Sequence, residues 1–82
     1  SLGYIHAESG RHLDRAVELC RRAVRQQPRN PAYLDSLGWA LYKKGNLSEA
    51  RECLRKALDL APRNSEIAAH MREVLAHPAE GR

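Results

Sequence analysis

The residues that could bind a metal ion or act as nucleophiles are few and scattered. The chain of 82 residues has two cysteines, Cys20 and Cys53, and four histidines. The cysteines fit neither a metal-ligand spacing nor a disulfide framework, so we interpret both as small apolar core residues. His70 and His77 share one helical pattern seven residues apart, which is wider than the usual spacing of a histidine ligand pair. We therefore predict no metal site.

Sequence motifs for catalysis are also missing. The chain has no nucleophile elbow, no glycine-rich phosphate loop and no metal-binding helix motif. We expect a protein that is not an enzyme and that needs no cofactor.

The charge pattern does not favour nucleic acid as a partner. The net charge is +4, from 14 basic and 10 acidic residues. The basic residues alternate with acidic ones along helical patterns, which is typical of a solvated helix face with i,i+4 pairs. Nucleic-acid binding would need a continuous basic track with stacking aromatic residues. No stretch of the sequence is long and apolar enough to span a membrane.

The elements that position these residues are helices that repeat. Alanine and leucine dominate the apolar residues, with 12 and 11 copies, and such a composition favours helix over strand. The stretch RAVELCRRAVRQQPRN at 15–30 is similar to EARECLRKALDLAPRN at 49–64, at an offset of 34 residues. Repeats of this length are typical of stacked supersecondary units.

Each repeated unit carries the signals of two helices. In the second unit Asn30 is a good N-cap and Pro31 suits the first helical position. Gly45 suits the left-handed residue that ends a helix. Asn46 and Glu49 then predict a capping box at the start of the next helix, and a proline after that helix stops it.

The first unit is expected to follow the same plan. We predict a short helix at 2–9, a turn after Gly10 with one extra residue, and a second helix from about Leu13. In both units small residues recur where helices must approach closely, as at Gly38 and Ala50. Because one helix pair cannot bury its apolar face alone, the units are expected to stack.

These positions resemble the tetratricopeptide repeat (TPR) family. The matching residues of the second unit are Leu34, Leu37, Gly38, Leu41, Gly45, Ala50, Leu54, Ala57 and Pro62. Those of the first unit are Leu2, Gly3, Gly10, Ala16, Cys20, Ala23 and Pro28. The run LDSLGWALYKKG looks most like the repeats of bacterial multi-repeat proteins.

The resemblance implies an all-α fold. It would be a right-handed superhelix with helix-turn-helix repeats at about 1–30 and 31–64, followed by a capping helix at about 65–76. We expect residues 1–76 to form a single domain and residues 77–82 to form a flexible tail.

The resemblance also implies a concave binding groove lined by the first helix of each unit. Transferred to this sequence, the lining residues are Tyr4, Glu8, Asp35, Trp39, Tyr42, Lys43, Glu66, Ala69 and Glu73. Four of them are carboxylates and one is a lysine, so we expect a peptide with apolar and basic side chains.

Trp39 and Tyr42 are the central residues of this groove. They are three residues apart and therefore neighbours on a helix surface, and exposed aromatic residues beside fixed charges are typical of binding hot spots. The alternative is that Tyr42 packs between repeats and Trp39 covers a neighbouring helix. The sequence leaves both possibilities open.

The expected function is a non-catalytic protein-protein interaction module that binds a peptide or partner protein in its concave groove. The alternative is a structural segment of a longer TPR scaffold that forms homodimers through an uncapped end. This alternative is based on the helical pattern that opens at Ser1, because terminal repeats need polar caps for solubility.

Overall fold

Four helices form the part of the chain that the structure describes. The computed structural model describes the backbone of residues 2–77 and the side chains of residues 10–77. The helices are α1 (Leu2–Gln26), α2 (Pro31–Lys44), α3 (Leu47–Leu60) and α4 (Ser65–Leu75). The all-α fold class is therefore confirmed.

Asparagine and glycine set the boundaries of α2 and α4. The Asn30 side chain accepts a hydrogen bond from the backbone N–H of Tyr33 at 3.1 Å. Asn64 caps α4 in the same way by accepting from Ile67 at 2.9 Å. Gly45 ends α2 at a φ of 94°, a left-handed conformation that favours glycine. These boundaries agree with the sequence-based predictions.

The start of α3 differs from the prediction. The Asn46 side chain makes no capping hydrogen bond, so the capping box with Glu49 is not formed. The Glu49 carboxylate instead accepts hydrogen bonds from both terminal nitrogens of Arg21 on α1, at 2.5 and 2.9 Å. A charge-assisted bidentate pair is stronger than a single neutral cap bond, which explains why Glu49 faces α1.

The first unit also differs from the prediction, because α1 runs through Gly10 without a turn. Gly45 is the one residue with a positive φ in the described part of the chain, so Gly10 does not adopt the left-handed conformation of a helix end. The residues after Gly10 are Arg11 and His12, whereas Gly45 is followed by Asn46. Without a strong N-cap residue, the sequence offers little reason for a new helix to start there.

The core is centred on the contact between α2 and α3. Leu41, Ala50, Leu54 and Ala57 are completely buried. At Gly38 the helices come so close that an added Cβ would lie 2.8 Å from Leu54 Cγ. The predicted close approach at Gly38 is therefore confirmed.

Several ion pairs lie on the outside of the helix stack. Lys44 on α2 binds Asp14 on α1 at 2.9 Å. Within α3, Arg55 binds Glu52 at 2.7 Å and Asp59 at 3.2 Å, with i,i+3 and i,i+4 spacing. On the mixed basic and acidic face of α3, Arg55 thus forms ion pairs with acidic residues of the same helix, as predicted.

Candidate peptide-binding surface

The candidate site lies between α2 and α4. Helix α2 contributes side chains one turn apart along a single face, and α4 lies against that face. We call this set the α2/α4 surface, and it consists of Asp35, Trp39, Tyr42, Lys43, Glu66, His70, Glu73 and His77.

The centre of the α2/α4 surface is a stack of two rings. The indole of Trp39 and the imidazole of His70 have centroids 4.2 Å apart and planes inclined by 21°. His70 Nδ1 lies 2.8 Å from a carboxylate oxygen of Asp35. Because an ionised carboxylate only accepts hydrogen bonds, Nδ1 must carry the hydrogen. Asp35 thereby fixes the plane of the imidazole against Trp39.

Asp35 and His70 are half-buried. Their side chains are 15% and 23% exposed, so water competes weakly for the hydrogen bond. The Asp35 carboxylate is therefore engaged by His70 rather than open to solvent.

A second polar group surrounds Tyr42. The ring of Tyr42 lies 4.9 Å from that of Trp39, and its hydroxyl donates a hydrogen bond to Glu73 at 2.9 Å. His77 Nε2 lies 2.9 Å from the same hydroxyl. Since the single hydroxyl proton is already donated to Glu73, His77 Nε2 must act as the donor in this contact.

These contacts affect the pKa of the Tyr42 hydroxyl. Partial desolvation, and then the hydrogen bond to the Glu73 carboxylate, raise the pKa of Tyr42 above its usual value. The hydroxyl is therefore protonated at neutral pH and remains a donor to Glu73.

Lys43 brings a positive charge to the aromatic centre. Its Nζ lies over the Trp39 ring, 5.2 Å from the centroid, within the range of a cation–π interaction. The Lys43 side chain is otherwise exposed to solvent.

The predicted site residues are only partly brought together. Asp35, Trp39, Tyr42, Lys43 and Glu73 meet as described above. Glu66 is exposed on the first turn of α4, on the same helix face as His70 by i,i+4 spacing. Ala69 is also exposed on α4. The side chains of Tyr4 and Glu8 lie outside the described residues.

The side chains of Trp39 and Tyr42 are neither fully exposed nor fully buried. Both side chains are partly buried and contact the core; Trp39 lies against His70 of α4, and Tyr42 lies against His77, which follows α4. The rings combine features of both possibilities that the sequence leaves open, because they pack between neighbouring helices and part of each stays accessible.

The sequence-based prediction of this surface did not include His70 on α4 or His77, which follows α4. It treated them only as possible metal ligands and placed His77 in a tail. A signal was available, since Asp35–His70 and Tyr42–His77 are both 35 residues apart. This separation is close to the repeat length, and equivalent positions of successive first helices lie side by side in a stack.

A shallow cavity adjoins the Tyr42 end of the surface. Its volume is about 370 Å³, and its lining residues are Tyr42, Lys43, Gly45, Leu47 and His77. A larger cavity of about 520 Å³ lies at the turn between α1 and α2, lined by residues 27–31. That turn shares no residue with the α2/α4 surface, so we relate only the smaller cavity to binding.

The potential metal ligands among residues 10–77 are dispersed. No three histidine, cysteine, aspartate or glutamate side chains of this part are grouped to hold a metal ion. Burial raises the pKa of both Cys20 and Cys53, which disfavours the reactive thiolate. Among the described helices, none is both long and apolar enough to cross a membrane.

The helix-turn-helix of α2 and α3, together with a sequence repeat of about 34 residues, defines a class of proteins in which such units stack. The tetratricopeptide repeat family matches residues 31–64, which span α2, α3 and the turn after each. The chain therefore contains a repeat of the tetratricopeptide repeat family.

Two curated proteins are similar to this chain. A TPR repeat-containing protein of Pseudomonas aeruginosa is 43% identical over 73 residues, which cover 89% of this chain and 12% of that protein. The mitochondrial ALBINO3-like protein 3 of Arabidopsis thaliana is 37% identical over 62 residues, covering 71% of this chain and 11% of that protein. The chain thus spans about a tenth of the length of these relatives. No solved structure matches it.

Proposed function

We propose that this chain is a non-catalytic module that binds a peptide or an extended segment of a partner protein on the α2/α4 surface. The tetratricopeptide repeat at residues 31–64 suggests a role in protein-protein interaction or as a scaffold. The proposal also specifies where the partner binds and which kind of peptide is preferred. We expect a peptide with apolar and basic side chains.

The observation that carries the proposal is the prearranged aromatic centre of the surface. Trp39 is held against His70, which is itself fixed by Asp35, and Tyr42 is held by Glu73. Fixing these rings before binding lowers the entropy cost of recognition. Tryptophan and tyrosine are also the residues most enriched at binding hot spots.

The charge of the surface supports a basic peptide. Asp35, Glu66 and Glu73 supply carboxylates, and Lys43 is the one lysine of the α2/α4 surface. Complementary charges steer association and select partners. A peptide that places apolar side chains on the rings and basic ones near the carboxylates therefore fits the surface.

The test is selection from a library of random 12-residue peptides, followed by calorimetric titration of the selected sequences. The native chain is compared with Trp39→Ala/Tyr42→Ala and with Tyr33→Ala, in which an aromatic residue of α2 outside the surface is removed. We expect peptides rich in basic and apolar residues that bind the native and Tyr33→Ala chains at least tenfold more tightly than the double variant, since hot-spot truncations cost about 2 kcal/mol or more. Circular dichroism checks that each variant keeps its helical content.

Equal affinity for all three chains would exclude the α2/α4 surface as the binding site. A selection that yields no preferred sequence would contradict peptide binding itself.

A second candidate function, self-assembly, is favoured by a different observation. Cys53 on α3 is 7% exposed, whereas its counterpart on α1, Leu19, is 54% exposed. Among the described residues, the face of α1 that contains Leu19 is therefore less covered than the equivalent face of α3. An open apolar face of this kind can bind another chain.

Light scattering tests this second candidate. If the α1 face mediates association, the native chain is dimeric at micromolar concentrations and Leu19→Glu is monomeric. Leu75→Glu is the matched control, because Leu75 is equally large and 59% exposed on α4. A native chain that stays monomeric at these concentrations would rule out assembly as its function.

A further inference from the structure

One cation already lies on the aromatic centre of the α2/α4 surface. The Lys43 ammonium is over the Trp39 ring at 5.2 Å from the centroid. His70 is stacked on Trp39 at 4.2 Å and covers one face of the indole. The Tyr42 ring is also close to Trp39, with centroids 4.9 Å apart, so a ligand cation would reach the indole at the place that the Lys43 ammonium occupies.

The contact that holds Lys43 in this place is weak. Lys43 is exposed, and among the described residues its ammonium contacts the Trp39 ring and forms no ion pair. Its neighbour Lys44 is bound by an ion pair with Asp14 at 2.9 Å, and Lys43 has no equivalent anchor. A flexible lysine held by a ring alone can leave without breaking an ion pair.

The surroundings of Trp39 favour a cation from outside. Asp35 lies on the same face of α2 one turn before Trp39, and its carboxylate is bound to His70 at 2.8 Å. The Glu73 carboxylate is 54% exposed; it accepts a hydrogen bond from the Tyr42 hydroxyl at 2.9 Å, and His77 Nε2 lies 3.9 Å from it. It therefore retains acceptor capacity for a planar, multidentate donor.

We infer that the part of the Trp39 ring that contacts the Lys43 ammonium is a subsite for an arginine side chain of the bound peptide, and that Lys43 occupies this subsite in the free protein. A guanidinium group stacks on aromatic faces and forms forked hydrogen bonds with carboxylates, so it suits a ring that lies beside Tyr42 and its partner Glu73 better than an ammonium does. Lys43 must swing away when arginine binds. This inference rests on the proposed function, because it assigns the basic side chain expected in the peptide.

The subsite can be tested with a small probe and without an identified partner. Trp39 is the single tryptophan of the chain, so its fluorescence and its indole N–H resonance report binding directly. The probe is Nα-acetylarginine amide, and Nα-acetylcitrulline amide is the neutral control of nearly the same shape. Both are titrated into the native chain, Lys43→Gln and Lys44→Gln.

The inference makes a specific prediction for these titrations. Lys43→Gln removes the competing ammonium, so the arginine probe binds it about two- to fivefold more tightly than the native chain, the ratio that corresponds to an exposed cation–π contact. Lys44→Gln loses the same charge one residue away and retains the native affinity. The citrulline probe binds all three chains more weakly than the arginine probe.

Two results would overturn the inference. One is an equal gain in Lys43→Gln and Lys44→Gln, which would show a general charge effect. The other is equal affinity for the arginine and citrulline probes. In either case, library peptides that bind the native chain and not Trp39→Ala/Tyr42→Ala would still support the proposed function without this subsite.

Discussion

At the scale of single residues, the contacts of Gly38 determine how closely α2 and α3 pack. A Cβ at this position would lie 2.8 Å from Leu54 Cγ and 3.2 Å from the backbone oxygen of Ala50. The backbone oxygen cannot move away without disturbing α3. A side chain of any size at Gly38 therefore separates the two helices.

Gly38→Ala is expected to lower the free energy of unfolding by about 1–3 kcal/mol, the usual range for overpacking a core. The matched control is Gly10→Ala, because a Cβ at Gly10 meets no atom within 4 Å. This control should raise stability by about 0.5–1 kcal/mol, since alanine is the better residue inside a helix. Urea unfolding followed by circular dichroism measures both, and a Gly38→Ala chain as stable as the native one would refute the close approach.

The sequence predicted residue roles well where the cause is local. Gly38 and Gly45 were identified because close packing and left-handed backbone impose their own residue type. The roles of His70 and His77 were missed because they depend on contacts with residues 35 positions earlier. Such contacts are set by the register of stacked helices and not by the spacing within one helix.

At the scale of helices, the pair Arg21–Glu49 joins α1 to α3. The hydrogen bond from Arg21 is the main cause that lowers the pKa of Glu49, and the charge of Arg21 lowers it further. A carboxylate whose pKa is lowered in the folded state contributes stability above its unfolded pKa. That contribution is lost as the pH falls through the lowered folded-state pKa.

Glu49→Gln is therefore expected to be less stable than the native chain at pH 7, and this difference is expected to be smaller at pH 3. The side chains of Arg21 and Glu49 are 41% and 37% exposed. Solvent screening therefore limits the difference in the free energy of unfolding at pH 7 to about 1 kcal/mol or less. Thermal unfolding at both pH values measures the effect. Glu18→Gln, which removes an exposed carboxylate of α1, is the control, and an equal pH dependence in both variants would contradict the assigned role of Glu49.

The sequence predicted α2, α3 and α4 with nearly their observed bounds because each is marked by capping, proline or apolar signals. The turn predicted after Gly10 was wrong, since glycine alone does not end a helix unless the following residues favour a new start. The capping box predicted at Asn46 was also wrong, because the sequence does not reveal that Arg21 binds Glu49 across the stack.

At the scale of the whole molecule, the two ends of the stack differ. On α4, Arg72 occupies the position that corresponds to Gly38 at the repeat offset, and Leu75 corresponds to Leu41. An arginine at this position leaves less room for a close helix approach than glycine does at Gly38. The alternative of self-assembly is therefore based on Leu19 of α1 and not on Leu75.

The central claim is that the α2/α4 surface binds peptides, and the most direct test is to map the bound peptide on the isotope-labelled chain by NMR. A selected basic and apolar peptide is added, and shifts of backbone amides, the Trp39 indole and the imidazoles are followed. If peptides bind the α2/α4 surface, the largest shifts fall on α2 and α4, at Trp39, Tyr42, His70 and Glu73. Largest shifts on the Leu19 face of α1, with these four residues unmoved, would contradict it.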